Sequence, residues 1–363
     1  MELKLNLRTT RKLVFCGFFA STLLSTQKIN AQYLTLEGQT GGFLTPTAYV
    51  VYMDKGQAFS HPAVGFHIIN ASKVIGNIET FSITEAFFGR AEAGYTRSVH
   101  QFGDSGPSSP SASVIPGGFS QLWNSNGMNV FHGKVVGIKD GQFGPWTPGL
   151  AVGGVVRTGD KFVTGEAAVL ATESNNAYCT YTGGLQAGLC TLVPVPAAKA
   201  YTNGDVYVAV TKTWAKKPVP FLANIGWKAT NGTIFGIGGQ STRFGGRLFG
   251  GLGIPLPVGH GIVAVPSVGF TQEPRTSKGL GAASYTSLPL VAGKADLPTT
   301  MDYAVRVTQR EKPHFAFDIG IGQVAGNIGA APTFTFPNPQ PTGTAPIDLQ
   351  ARHVVGMGLS YRY

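Results

Sequence analysis

The sequence predicts an all-β fold, a single transmembrane antiparallel β-barrel. Three observations carry the prediction: two-faced alternation along residues 350–363, a glycine-rich and charge-poor composition, and no apolar run beyond the N-terminal region long enough for a membrane helix. In 350–363, Ala351, His353, Val355, Met357, Leu359, Tyr361 and Tyr363 share one face, and Gln350, Arg352, Gly356, Gly358, Ser360 and Arg362 share the other. A period of two is a strand. An apolar face opposite a small or charged one suits a strand between lipid and a watery lumen. Of 363 residues, 50 are Gly and only 13% are charged, while the 43% hydrophobic fraction is that of a chain averaging an apolar and a polar face. A helical membrane protein needs roughly 20 consecutive apolar residues, and charges, Gly or Pro interrupt every candidate stretch.

Residues 1–31 read as a secretory signal: Lys4, Arg8, Arg11 and Lys12 form a basic region, 13–24 an apolar one, and Ile29-Asn30-Ala31 a cleavage site before Gln32. An anchor helix is the alternative, but the apolar stretch is short for a bilayer. Cys16 follows the bulky Phe15, where a lipoprotein signal wants a small residue. Cleavage removes five of 28 Lys+Arg and one of 18 Asp+Glu, so 23 against 17 leaves +6. This mild excess favours anionic solutes or lipopolysaccharide phosphates and forms no stripe for nucleic acid. Cys179 and Cys190 remain, an even pair in an exported chain, and a disulfide closing a surface loop is expected; a metal pair would want tighter spacing and nearby His. No metal and no cofactor are expected.

Between turn signals, alternating runs fall near 57–70, 76–83, 86–98, 127–139, 148–157, 204–214, 219–229, 232–241, 246–256, 260–272, 282–292, 299–310, 314–325 and 349–363. Phe315, Phe317, Ile319 and Ile321 oppose His314, Asp318, Gly320 and Gly322, a well-formed example. The pattern over 127–139 is poor, and 282–292 rests on the even strand number of a bacterial single-chain barrel. About fourteen strands result, with twelve or sixteen satisfying the same parity. The long segments 99–126, 158–203 and 326–348 then share the outer side, and short turns at Thr84-Glu85, 215–218 and 311–313 the periplasmic side. Domain boundaries follow: signal 1–31, a Gly-rich lead-in or lumen plug 32–56, barrel 57–363.

The ending of the chain, an alternating strand closing on an aromatic, is similar to the C-terminal signature of Gram-negative outer-membrane barrels. That resemblance implies the outer membrane as location, its lipids and lipopolysaccharide as surroundings, and the barrel-assembly machinery as a partner. The stretch Leu36-Glu37-Gly38-Gln39-Thr40-Gly41-Gly42-Phe43-Leu44-Thr45-Pro46-Thr47-Ala48 resembles the opening of outer-membrane proteins of unknown function, one group of which is associated with exopolysaccharide production. Arg90-Ala91-Glu92-Ala93-Gly94-Tyr95, Gly133-Lys134-Val135, Thr211-Lys212 and Phe235-Gly236-Ile237-Gly238-Gly239 resemble the later strands of that family in the same order. Physically, Gly41, Gly42, Thr45 and Pro46 suit either a plug tucked into the lumen or a periplasmic lead-in.

Chemistry weighs against an enzyme. Gly103-Asp104-Ser105-Gly106 copies a serine-protease nucleophile string, but it opens a Ser/Pro-rich loop with no matching His region. His100 and Asp104 are the nearest acid/base pair, and rim polarity accounts for them. Gly236-Ile237-Gly238-Gly239 and Gly250-Gly251-Leu252-Gly253 lack the Lys-Ser/Thr of a phosphate loop and read as strand glycines. The informative set is the charges on predicted inward faces: Arg90, Glu92, Asp205, Lys228, Asp302, Arg306, Arg310, Asp318, Arg352 and Arg362. Facing lipid they would be costly; facing inward they hydrate a channel or pair across strands. The function expected is a porin-like channel for small solutes, passive or gated. The alternatives are a structural or assembly barrel associated with surface polysaccharide and, last, a rim hydrolase.

Overall fold

The computed structural model describes residues 33–71, 76–101, 127–159, 202–215, 219–232, 240–273, 299–309, 314–335 and 338–363. A short hairpin comes first, β1 (Tyr33–Leu34) with β2 (Thr40–Gly41). The barrel follows: β3 (Ala63–Asn70), β4 (Asn77–Phe87), β5 (Ala91–Gln101), β6 (Gly127–Ile138), β7 (Gly149–Gly159), β8 (Thr202–Trp214), β9 (Phe221–Gly232), β10 (Gln240–Gly253), β11 (Leu256–Gly259), β12 (Ile262–Thr271), β13 (Thr300–Gln309) and β14 (Phe315–Gln323). A separate hairpin, β15 (Ala325–Thr335) with β16 (Asn338–Ala351), precedes the last barrel strand, β17 (Val354–Arg362).

Each barrel strand pairs antiparallel with its neighbour in sequence from β3 to β10, and β12, β13, β14 and β17 continue the ladder back to β3. The seam β10–β12, from Phe249↔Thr271 to Gly253↔Ser267, closes twelve strands into a barrel. β11 is an extra strand beyond β10, held on β12 by Leu256↔Ala264 after an interruption that contains Pro255. No described helix is long and apolar enough to cross a membrane.

The walls are two-faced all round. Phe66, Phe81, Phe131, Val152, Val206, Ile225, Leu248, Val305, Ile319 and Met357 stand outward and exposed on ten different strands, while their neighbours in sequence are turned inward. Closure satisfies every ladder, and an apolar belt of this extent faces lipid. β17 has Val355, Met357, Leu359 and Tyr361 outward, with Gly356, Gly358, Ser360 and Arg362 buried on the lumen side.

Strand bounds, one turn and two site residues differ from expectation. Of the strands expected at 232–241 and 246–256, residues 233–239 lie outside the described residues, and β10 runs from Gln240 to Gly253 through a bulge between Gln240 and Gly245. The segment 282–292 lies outside the described residues, and among the described residues the barrel has twelve strands, one of the counts that parity allows. The turn expected at Thr84-Glu85 sits at Phe88-Gly89 instead, where φ is 52° and 59° and the Arg90 N–H donates to the Phe87 carbonyl at 3.0 Å. Two successive positive φ values make the two-residue turn whose twist matches a hairpin. That shift puts Arg90 at the turn, its guanidinium on the carbonyls of Val136 and Gly137 at 3.3 and 3.0 Å, not on the lumen wall. Likewise Arg352 is exposed in the bend before β17, because the strand begins at Val354.

The C-terminal ends of β5, β7, β12 and β14 lie at one end of the barrel. The C-terminal ends of β4, β6, β8 and β13, the start of β3 and the end of β17 lie at the other, called here the turn end. Ile319→Arg, on the lipid face halfway along β14, is expected to destabilise the barrel by about 2–4 kcal/mol in denaturant titrations in lipid vesicles. A neutral result would place that face away from the bilayer.

Candidate functional site

The lumen is filled, from the turn end, by residues 33–53. Thr35 shapes the tip of the hairpin: its Oγ1 accepts the N–H groups of Glu37 and Gln39, each at 3.2 Å. Gly38 sits at φ +82°, and a Cβ there would lie 2.4 Å from Thr96 Oγ1, so both conformation and space require glycine. The return strand is tied by Gly42 N–H to Thr45 O at 2.9 Å and by the bridge Gly41↔Pro46. Gly41 itself has no room for a side chain, since a Cβ would come 2.2 Å from the Thr45 carbonyl.

The wall holds this hairpin through side chains. Glu92 on β5 and Lys134 on β6 are register partners and form an ion pair at 3.0 Å with side-chain exposures of 0% and 0%. Glu92 accepts the Thr40 N–H at 3.0 Å, the Thr40 hydroxyl at 2.6 Å and the Val51 N–H at 3.2 Å. Lys134 donates to the carbonyls of Thr40 and Thr47, both at 3.0 Å. All three ammonium protons and all four carboxylate acceptor positions are thereby used. A buried pair is tolerated in this fully satisfied form, and the satisfaction comes from the plug.

Around this clamp the contacts fan out. Arg157 on β7 grips the Glu37 carboxylate with two donors, Nη2 to Oε2 at 2.8 Å, and also reaches Asp205 at 2.6 Å. Arg306 and Asp318, cross-strand partners on β13 and β14, pair at 2.7 and 2.9 Å, and the remaining Nη1 donates to the Gly41 carbonyl at 2.7 Å. The Thr84 hydroxyl donates to Gly38 O at 2.6 Å, Thr96 to Glu37 O at 2.9 Å, and Asn224 to Pro46 O at 2.9 Å. Phe43 packs edge-on to His67 at 6.0 Å and against Gly356, where a Cβ would meet the ring at 2.7 Å.

At the turn end, Tyr49 donates to Asp140 at 2.8 Å beside Thr213, and Arg362 donates to Tyr52 O at 3.0 Å with its guanidinium 4.5 Å from the Tyr52 ring centre. Burial pushes the Tyr49 phenol well above its ordinary value, which keeps it a neutral donor. A vestibule of about 670 Å³, lined by Tyr49, Tyr52, Met53, Lys139 and Lys212 among others, opens below the plug. Asp302, buried on β13, lines a cavity of about 60 Å³ between plug and wall.

Of the residues picked from sequence, Glu92, Asp205, Asp302, Arg306, Asp318 and Arg362 lie buried on inward faces, and Lys228 is inward and half-buried. Gly41, Gly42, Thr45 and Pro46 lie within the hairpin segment held in the lumen. Arg310, Cys179, Cys190 and Asp104 lie outside the described residues; His100 is buried inward beside Ser98 Oγ at 2.9 Å. Sequence reasoning missed Lys134, Arg157 and Glu37. Strict alternation from His132 and from Val155 would have put Lys134 and Arg157 inward, whereas Glu37 carries no local signal.

Fold and site together define a class: a closed transmembrane barrel with a resident N-terminal plug. No protein-family model matches the chain, and no curated protein matches it by sequence. Among solved structures it is similar to the KdgM porin (TM-score 0.38, 5% identity, covering 83% of this chain and 99% of that one) and to LpxR from Salmonella typhimurium (0.42, 8%, 83% and 100%). It is also similar to a Pseudomonas aeruginosa FadL homologue (0.37, 8%, 84% and 90%). At TM-scores below 0.5 these likenesses carry no argument, and the architecture stands on its own ladders.

Lys134→Met leaves Glu92 buried without its cation and is expected to cost about 3–5 kcal/mol, whereas Lys134→Met combined with Glu92→Gln costs less than that single change. Hydrogen exchange at the Thr40 amide reads the same clamp locally, and Thr40 protection unchanged in the single variant would contradict it.

Proposed function

We propose that the chain is a gated channel of the Gram-negative outer membrane, its lumen closed from the periplasmic side by residues 33–53 and opened when that segment withdraws. The observation that carries this reading is how the plug is held. Among the described residues β1 and β2 pair with no barrel strand, and the plug is bound to the wall by side-chain hydrogen bonds and ion pairs. It can therefore leave without breaking one rung of the barrel ladder. What it would leave behind is a polar wall on which three carboxylates keep a cation, Glu92 with Lys134, Asp205 with Arg157 and Asp318 with Arg306, while Asp302 adds a further polar group. Such a wall hydrates and passes small solutes. The turn end carries both the start of β3 and the end of β17, and short turns mark the periplasmic end of a barrel. Outer-membrane lipid, lipopolysaccharide and the assembly machinery are the partners this location implies.

A structural barrel, linked to surface polysaccharide by the resemblance of residues 36–48, is the second reading. The full satisfaction of the Glu92–Lys134 clamp favours it, since a permanently sealed lumen would be built the same way. Planar-bilayer recordings separate the two. The mature chain is expected to show rare openings, and the chain lacking residues 33–53 to show stepwise conductance with an open probability raised about tenfold or more, as expected from losing several charge-assisted hydrogen bonds. Silence from both proteins sinks the channel and leaves the structural barrel.

A further inference from the structure

Resting on the gated-channel reading, we propose that Arg157, with Lys228 and Tyr207, forms a lumen site for a carboxylate carried on a hydroxylated skeleton, and that Glu37 of the plug occupies it as a built-in competitor. A planar guanidinium fork holding both oxygens of one carboxylate is a recognition geometry, and here the carboxylate belongs to a segment that pairs with no barrel strand. The charges balance in only one of the two states. Arg157 and Lys228 against Asp205, which lies in electrostatic range of both, leave a local excess of one positive charge; Glu37 cancels it. Once the plug is gone, one carboxylate restores neutrality.

A second observation points to hydroxyl groups on the same ligand. Next to Glu37 lies a small cavity of about 20 Å³, lined by Gln39, Val155, Asp205, Tyr207, Lys228 and Phe249. That is room for one water-sized group. Tyr207 is 2% exposed, and its hydroxyl, like the Gln39 amide nitrogen, has no hydrogen-bond partner among the described residues. The ring is fixed: it lies over Gly153, its register partner, where a Cβ would fall 2.4 Å from the hydroxyl oxygen, and it packs edge-on to Phe249 at 6.0 Å. A rigid, buried and unused hydroxyl beside a carboxylate grip is what a hydroxy acid would engage. Wall donors that now serve plug carbonyls, Thr84 and Thr96, would be released alongside it.

Isothermal titration of the folded chain in detergent with D-glucuronate tests this, with glucose and inorganic phosphate as comparisons. Glu37→Gln removes the competing charge while keeping the shape, and its affinity for glucuronate is expected to exceed the parent's about tenfold. Glu37→Gln with Arg157→Lys keeps the positive charge beside Asp205 but loses the fork, and should return affinity to the parent level or below. Retained affinity in that double variant, or glucose or phosphate binding as tightly as glucuronate, overturns the site. So does an absence of glucuronate binding to both Glu37→Gln and the chain lacking residues 33–53. Because calorimetry needs no current, a silent bilayer with intact glucuronate binding removes the gate and keeps the site, whereas conductance without binding does the reverse.

Discussion

Hydrocarbon offers no partner to a peptide group, and this constraint organises the molecule from the outside in. Every ladder must end on another ladder, so the strands have to close. The closure is narrowest at β10–β12, where the ladder extends only from Phe249↔Thr271 to Gly253↔Ser267, and where Pro255 stops β10 from extending further as one strand. Closing the sheet creates an inside that lipid cannot reach, and alternation fills that inside with the polar half of each strand. The interior charges are therefore a by-product of the same rule that makes the outside apolar.

Polar groups enclosed in this way need partners of their own. Cross-strand pairing supplies part: Glu92 with Lys134, and Arg306 with Asp318, are register neighbours. Those pairs leave donors and acceptors over, and the plug takes them. Its Thr40 offers an N–H, a hydroxyl and a carbonyl to one ion pair, and its Gly41 carbonyl completes Arg306. Wall and plug are thus complementary through their backbone and side-chain polarity, joined by apolar contacts of Leu34, Phe43, Ala48 and Val51 with the wall.

Much of the wall was legible in the sequence because a period of two survives any error in strand ends. Residues 315–321 and 354–362 show both faces without ambiguity. Strand bounds were less legible: the break expected between residues 241 and 246 is a bulge within β10, between Gln240 and Gly245. Turn position slipped likewise, since Phe88 at positive φ is not a residue that announces a turn. On β6 the inward face carries Met128, Val130 and Val136 as well as Lys134, so both faces look apolar and the lysine does not stand out. Glu37 and Arg157 meet across most of the barrel's first half in sequence, and no local pattern records such a meeting.

The seam between β17 and β3, from Val355↔Asn70 to Arg362↔Ala63, joins the last barrel strand to the first. Its consequence is one of timing. Contacts so distant along the chain form late, after the loop-closure entropy of everything between them has been met. Residues 33–53 precede β3 by a short connection, so they are tethered beside the sheet before β17 joins it. A wall that closes last at this seam can curl around the hairpin, so first assembly needs no threading of a finished barrel.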